Sequence, residues 1–290
     1  MDYIGRFAPS PTGPLHFGSL LAALASYLDA RSHKGRWLLR IEDLDPPREI
    51  AGATDSIFRR LENFGLNWDE TAVYQSDRHE QYYSALQQLL DNNLAYPCIC
   101  SRQTIIQRSG SNRYDRHCYS NSLQQEQQCA VRSLCEHDIP FRDCILGWQA
   151  FPQQRDDFVI FRRDGFFAYQ LAVTVDDAAQ NISHIVRGSD LLDSTPKQLH
   201  LQRQLGYKHP EYAHIPVATN ADGQKLSKQT YARALDDSQP AQQLYQALDF
   251  LGQRPPTGLE NSSTAEILGW AVEHWDIEQI PSMTAIEWEG

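Results

Sequence analysis

The sequence predicts an α/β protein, and three observations carry that prediction. A short apolar run, Tyr3 to Ala8, feeds a loop holding Pro9, Pro11, Gly13 and Pro14, then an apolar-rich helical stretch, Ser19 to Asp29. A second strand-like run, Gly35 to Ile41, stops in Glu42-Asp43-Leu44-Asp45. Beyond it, segments of helical spacing alternate with short apolar strand-like runs.

Composition narrows the setting. A chain of 290 residues suits one or two domains, and 41% apolar with 10% aromatic residues is enough to bury a substantial core. No apolar run approaches the ~20 residues of a membrane span. The start, Met1 to Arg6, has neither the basic nor the apolar region of a secretion signal, so the cytoplasm is expected. A net charge of −11 opposes a broad basic footprint for nucleic acid but leaves room for a local basic strip. Six cysteines in such a setting point to a metal or to free thiols rather than to disulfides.

Strand, Gly/Pro loop and helix together present backbone N–H groups where a phosphate can bind. His16 and Gly18 stand at that turn: imidazole can donate to phosphate oxygens, and glycine lets a nucleotide approach the backbone. By itself the pair describes only a capped helix start. The carboxylates after Ile41 sit past the end of a buried strand, where open sheets bind ligands, although spacing alone fits a solvated turn before Pro46-Pro47 equally well. Thr54 to Phe64 and Arg78 to Asn92 read as amphipathic helices, the first stopped by Gly65.

From Tyr96 to Cys144 the periodicity weakens and all six cysteines appear, as in an insertion. Cys98, Cys100, Tyr114 and Cys118 form a candidate four-ligand zinc set, with His117 as the alternate fourth ligand. Cys129, Cys135 and Cys144 lack ligand spacing and read as buried thiols. Strand character returns at Asp157 to Arg163, before the Asp164-Gly165 turn. Phe167 to Asp177 is a core strand or helix. Thr195 to Leu205 reads as a helix, His214 to Ala218 as a strand, Asn220 to Gln229 as a polar loop, and Ala241 to Leu251 as a helix.

Read jointly, these segments resemble a known family. Arg6 to Gly18 (Arg-Phe-Ala-Pro-Ser-Pro-Thr-Gly-Pro-Leu-His-Phe-Gly) is similar to the first signature of class I aminoacyl-tRNA synthetases of the glutamyl/glutaminyl branch, with Phe17-Gly18 in place of Ile-Gly. Arg40-Ile-Glu-Asp-Leu-Asp45 resembles that branch's Arg-Ile-Glu-Asp-Thr-Asp block. Tyr169 to Asp177 and Arg187-Gly-Ser-Asp190 resemble two further blocks. Lys225-Leu-Ser-Lys228 resembles the second signature, with Gln229 where many relatives have serine.

The resemblance covers Tyr3 to about Gly252 and implies a Rossmann-like catalytic domain with parallel strands at 1–95 and 158–230. It further implies a zinc-bearing, acceptor-binding-like insertion at 96–157 and a short helical C-terminal region at 231–290. The implied reaction is activation of L-glutamate by ATP, accompanied by Mg2+, to glutamyl-adenylate. Glutamate would be held by Arg6, Ala8, Ser10, Glu42, Tyr169 and Arg187. The two arginines would clamp its carboxylates, Ser10 and Glu42 would fix its amino group, and Tyr169 would shape the pocket. His16, Gly18, Lys225 and Lys228 would handle ATP, with Lys228 neutralising charge on the triphosphate. One structural Zn2+ would sit on Cys98, Cys100, Tyr114 and Cys118.

About sixty residues follow Lys228, where relatives that discriminate tRNA(Glu) continue into an anticodon-binding domain. The expected likeness is therefore to a subgroup that transfers glutamate to queuosine in the anticodon loop of tRNA(Asp), acting as a monomer. Two alternatives stay open: a truncated synthetase charging the 3′ end of tRNA(Glu), and a non-catalytic paralogue that binds tRNA or a protein.

Overall fold

The computed structural model describes residues 2–111, 113–120, 129–136, 139–151, 156–226 and 234–288. Strand β1 (Ile4–Phe7) leads through the proline-rich loop into helix α1 (Phe17–Ser32), which returns to β2 (Arg36–Ile41). Helix α2 (Ala53–Asn63), strand β3 (Asp69–Tyr74) and helix α3 (His79–Asp91) follow. The three strands form a parallel sheet in chain order, with Arg6 opposite Leu38. Helix α1 is apolar on most faces because most faces are covered: it packs on β1 and β2 and on later elements, burying Leu20, Leu21, Leu24 and Leu28. The chain turns back at Gly35, where a Cβ would lie 2.4 Å from the Tyr3 carbonyl oxygen, so only glycine lets β2 run beside β1.

The middle of the chain holds β4 (Ala95–Cys98), α4 (Arg102–Ser109), α5 (His117–Ser120), β5 (Ala130–Ser133), β6 (Phe141–Asp143), β7 (Gly147–Gln149) and β8 (Val159–Phe161). Next come α6 (Tyr169–Ala179), β9 (His184–Gly188), α7 (Thr195–Leu205), β10 (Glu211–Ile215) and β11 (Val217–Thr219). Helices α8 (Pro240–Phe250) and α9 (Thr264–His274) and strand β12 (Ala285–Glu287) close the described chain. The stretch expected as either strand or helix is helical from Tyr169, because Leu171, Ala172 and Val175 return to one face and are buried.

A second sheet runs β7-β6-β10-β9, with β6 and β9 parallel to β10 and β7 antiparallel at its edge. Its β9 margin meets β1. The Ser183 N–H donates to the Ile4 carbonyl at 2.9 Å, and Ser183 Oγ accepts from the Ile4 N–H at 2.8 Å. Strand order therefore reverses between β1 and β9, the position at which an open α/β sheet leaves a crevice for ligands.

Three expectations need correction. Strands β6 and β7 lie within the range expected for the insertion, yet they extend the β9–β10 sheet, while β4, β5 and β8 form a separate antiparallel sheet. A buried Asp143 holds β6 against β10, and strands of three residues carry too little periodicity to announce this. The single strand expected at His214 to Ala218 is broken at Pro216, which has no N–H to donate, so β10 and β11 join different sheets. The C-terminal region is not helical to its end, because β12 pairs in parallel with β11 and Trp288 stacks on Phe17 at 3.7 Å between ring centroids.

Candidate active site

A cavity of about 800 Å³ opens at the crevice between β1 and β9. It is lined by Arg6, Ala8, Ser10, His16, Gly18, Glu42, Tyr169, Arg187 and Lys225, nine of the ten residues expected to bind glutamate or ATP. The tenth, Lys228, lies outside the described residues. The volume is ample for an amino acid beside a nucleotide.

His16 is the N-cap of α1. Its Nδ1 accepts from the Ser19 N–H at 3.3 Å, and Ser19 Oγ accepts in return from the His16 N–H at 3.5 Å. This reciprocal capping box occupies the Nδ1 lone pair, so the neutral ring carries its proton on Nε2 and can donate there. A Cβ on Gly18 would come within 3.2 Å of the His16 ring and 3.5 Å of the Leu226 carbonyl oxygen. Glycine thus lets the two signature segments close on one another. Lys225 Nζ donates to Asp190 Oδ2 at 2.5 Å at the cavity mouth.

One wall of the cavity is a buried charge network. Asp177 Oδ1 pairs with Arg6 Nε at 3.2 Å and with Arg40 Nη2 at 2.8 Å. Arg40 is fully buried, and its Nη2 lies 3.7 Å from Glu42. Burial pulls the Asp177 carboxyl upward, but Arg6 and Arg40 outweigh it and hold the group below the usual carboxylate range. Glu42 goes the other way. Desolvation pushes its carboxyl up to about 7 against the pull of Arg40 and Arg6, with Asp177 and Asp176 adding to the rise. Burial and the nearby Glu42 raise the Tyr169 phenol, which stays neutral.

The opposite wall is different. Arg187 on β9 is 4% exposed and donates to His214 Nε2 at 3.0 Å, Gln198 Oε1 at 2.9 Å and Thr195 Oγ1 at 2.7 Å. Among the described residues no carboxylate pairs with it. Its positive charge is therefore not compensated by a direct carboxylate partner.

The cysteine-rich segment brings Cys98, Cys100 and Cys118 together, with their sulfurs all within 4.8 Å of one another. The Tyr114 hydroxyl stands 3.3 Å from Cys98 Sγ and 3.9 Å from Cys100 Sγ. Arg132 Nε donates to Cys98 Sγ at 3.2 Å and Arg108 Nη2 to Cys100 Sγ at 3.5 Å. Three thiols and a phenol around one point suit zinc; His117 is not part of the cluster. Of the other thiols Cys135 is buried and Cys129 half-buried, but Cys144 is exposed, against expectation, because it follows β6 into a surface turn.

Sequence reading did not single out Asp177, Arg40, Asp143, His214 or Ser19. Asp177 had a signal, since two adjacent aspartates in an otherwise apolar run must find buried partners. The rest had none.

Comparison with known proteins settles the family. A family model of class I tRNA synthetases (E and Q), catalytic domain, matches residues 4–266. A relative from Ectopseudomonas mendocina, named glutamyl-Q tRNA(Asp) synthetase, is 50% identical over 96% of this chain and 95% of its own length. The chain belongs to the glutamyl-Q tRNA(Asp) synthetase family of class I synthetases. Another glutamyl-Q tRNA(Asp) synthetase, from Cronobacter sakazakii, is 49% identical over 98% of this chain and 95% of its own. Among solved structures, a glutamate-tRNA synthetase from Elizabethkingia anophelis superposes with a TM-score of 0.83 at 25% identity, covering 100% of this chain and 68% of its own. The Rossmann-like class I fold follows from these matches.

Proposed function

We propose that the cavity binds L-glutamate beside ATP and joins them as glutamyl-adenylate, and that the glutamyl group then passes to queuosine in the anticodon loop of tRNA(Asp). The observation that carries the first half is Arg187, a buried cation with only neutral protein partners, facing the same cavity as Glu42 and Arg6. Glutamate brings two carboxylates and one ammonium, a net charge of −1, which one unneutralised arginine offsets. Arg187 receives one carboxylate bidentately and Arg6, shared with Asp177, the other. Glu42 and Ser10 take the ammonium, while Ala8 and Tyr169 close the pocket.

Chemistry at the phosphate is positioning and charge neutralisation. A carboxylate oxygen of glutamate attacks the α-phosphorus of ATP, the bond from that phosphorus to the bridging oxygen breaks, and pyrophosphate leaves; Mg2+, when bound, would offset charge on the triphosphate. His16 donates from Nε2 to phosphate oxygens, Gly18 lets the nucleotide lie against the start of α1, and Lys225 and Lys228 meet the triphosphate. A hydroxyl of queuosine then attacks the acyl carbon and AMP departs. The match to glutamyl-Q tRNA(Asp) synthetases over nearly the whole of both chains favours this acceptor over the 3′ end of tRNA(Glu). Cys98, Cys100, Tyr114 and Cys118 would hold zinc, which when bound cross-links β4 to the segment from Tyr114 to α5. We place the reaction in the cytoplasm and on a monomer.

ATP–pyrophosphate exchange tests the first half: it should depend on L-glutamate and not on L-aspartate or L-glutamine. Labelled glutamate tests the second. Transfer should survive periodate oxidation of the terminal ribose and require queuosine; label lost on oxidation would assign the 3′ end instead. Elemental analysis should find about one zinc per chain. Cys98→Ser should lose it and His117→Ala should keep it.

A further inference from the structure

Arg187 is oriented by a buried chain of groups that reaches across two strands. Asp143 on β6 and His214 on β10 are both essentially inaccessible to solvent. Asp143 Oδ2 accepts from His214 Nδ1 at 2.6 Å, and its other oxygen, Oδ1, accepts the backbone N–H groups of Ile145 at 3.0 Å, Leu146 at 2.9 Å and His214 at 3.3 Å. Across the imidazole, Nε2 faces Arg187 Nε at 3.0 Å and Thr195 Oγ1 at 3.1 Å. Arginine can only donate, so Nε2 must be the acceptor and Nδ1 must hold the proton. Thr195 completes the set, accepting from Arg187 Nη2 and turning its own hydroxyl toward Nε2.

We infer that Asp143 and His214 are positioning residues for the substrate carboxylate: Asp143 locks His214 in the Nδ1–H tautomer, and the bare Nε2 aims the Arg187 guanidinium into the glutamate pocket. The inference rests on the reading of Arg187 as the carboxylate-binding group. The ring stays neutral because burial and the neighbouring Arg187 both oppose its protonation, outweighing Asp143. A protonated ring, or one carrying its proton on Nε2, would point an N–H at a cation. None of these groups touches the substrate; they act through Arg187.

Asp143→Asn reverses the polarity of the relay at almost constant shape. Three backbone N–H groups hold the side-chain oxygen at the Oδ1 position, so the new amide nitrogen must face His214. Nδ1 then becomes the acceptor, the proton moves to Nε2, and it meets Arg187 Nε–H head on. In ATP–pyrophosphate exchange the KM for glutamate should rise about ten- to hundredfold, the scale of a buried donor left unpaired, while the KM for ATP stays within about twofold. Nitrogen-15 NMR of the histidine side chains should show His214 protonated at Nδ1 in the native protein and at Nε2 in the variant. An unchanged glutamate KM, equal changes in both KM values, or a native ring protonated at Nε2 would each overturn the relay. Arg187→Ala separates the two readings. If it too leaves the glutamate KM unchanged, the site assignment falls; if it raises that KM while Asp143→Asn does not, only the relay falls. Should Asp143→Asn fail to fold, His214→Gln retains an oxygen acceptor for Arg187 and should hold the glutamate KM nearer native than His214→Leu. Equal KM values for those two would overturn the relay as well.

Discussion

The two walls of the crevice use the same residue type in opposite ways. On the β1–β2 side, Arg6 and Arg40 share Asp177, and Glu42 stands near, so positive charge is largely cancelled within the protein. On the β9–β10 side Arg187 is as buried as Arg6 but rests on histidine, glutamine and threonine. Paired charges in a dry site hold the walls in shape. In the proposed site the unpaired one receives a glutamate carboxylate, which would offset its desolvation. The difference teaches that burial of an arginine does not reveal its task; the charge of its partners does.

Breaking each wall should therefore break a different property. Asp177→Ala takes from buried Arg6 its carboxylate partner and from Arg40 its nearest one, and should cost about 3–5 kcal/mol of stability, read from the urea midpoint, with or without substrate present. Arg187→Ala should instead act on substrate, weakening glutamate use in pyrophosphate exchange by about 2–5 kcal/mol in kcat/KM, and Arg187→Lys should not restore it. A result with the two effects exchanged would reverse the assignment of the walls.

A finer test uses pH. In the proposed site Glu42 must be ionised to pair with the glutamate ammonium, and burial pushes its carboxyl up to about 7. As pH falls through about 7 the free enzyme protonates Glu42, so kcat/KM for glutamate should fall, and it should level off above that value. In Glu42→Gln the curve should be low and flat across the same range. The smallest effect concerns Cys144, exposed and outside the sulfur cluster. Cys144→Ser should leave zinc content unchanged and stability within about 0.5 kcal/mol.

What could be read from the sequence was what is local along the chain. Helix α7 falls on Thr195 to Leu205 as spaced, and α1, α2, α3 and α8 begin and end within a few residues of expectation, because apolar periodicity and glycine stops are short-range signals. The cavity residues were legible because each sits in a compact block. The partners that set their charge were not. Arg6 finds Asp177 171 residues away, and Arg187 reaches Asp143 only through His214, 71 residues further along than Asp143 itself. Nothing near Asp143 distinguishes it from a surface aspartate, and strands as short as β6 and β7 are fixed by the sheet they join rather than by their own pattern.

The meeting of β1 and β9 has a consequence for the newly made chain. Ile4 obtains its partner from Ser183, 179 residues later. Until that segment is synthesised, β1 is a bare margin of a short sheet, carrying buried residues such as Ile4 and Phe7 and offering unpaired backbone groups to any passing strand. Bringing together ends so distant is also slow, since a long loop must close before its contacts reward it. The feature that creates the crevice is thus also the one that leaves an unpaired strand edge on the nascent protein until late in its synthesis.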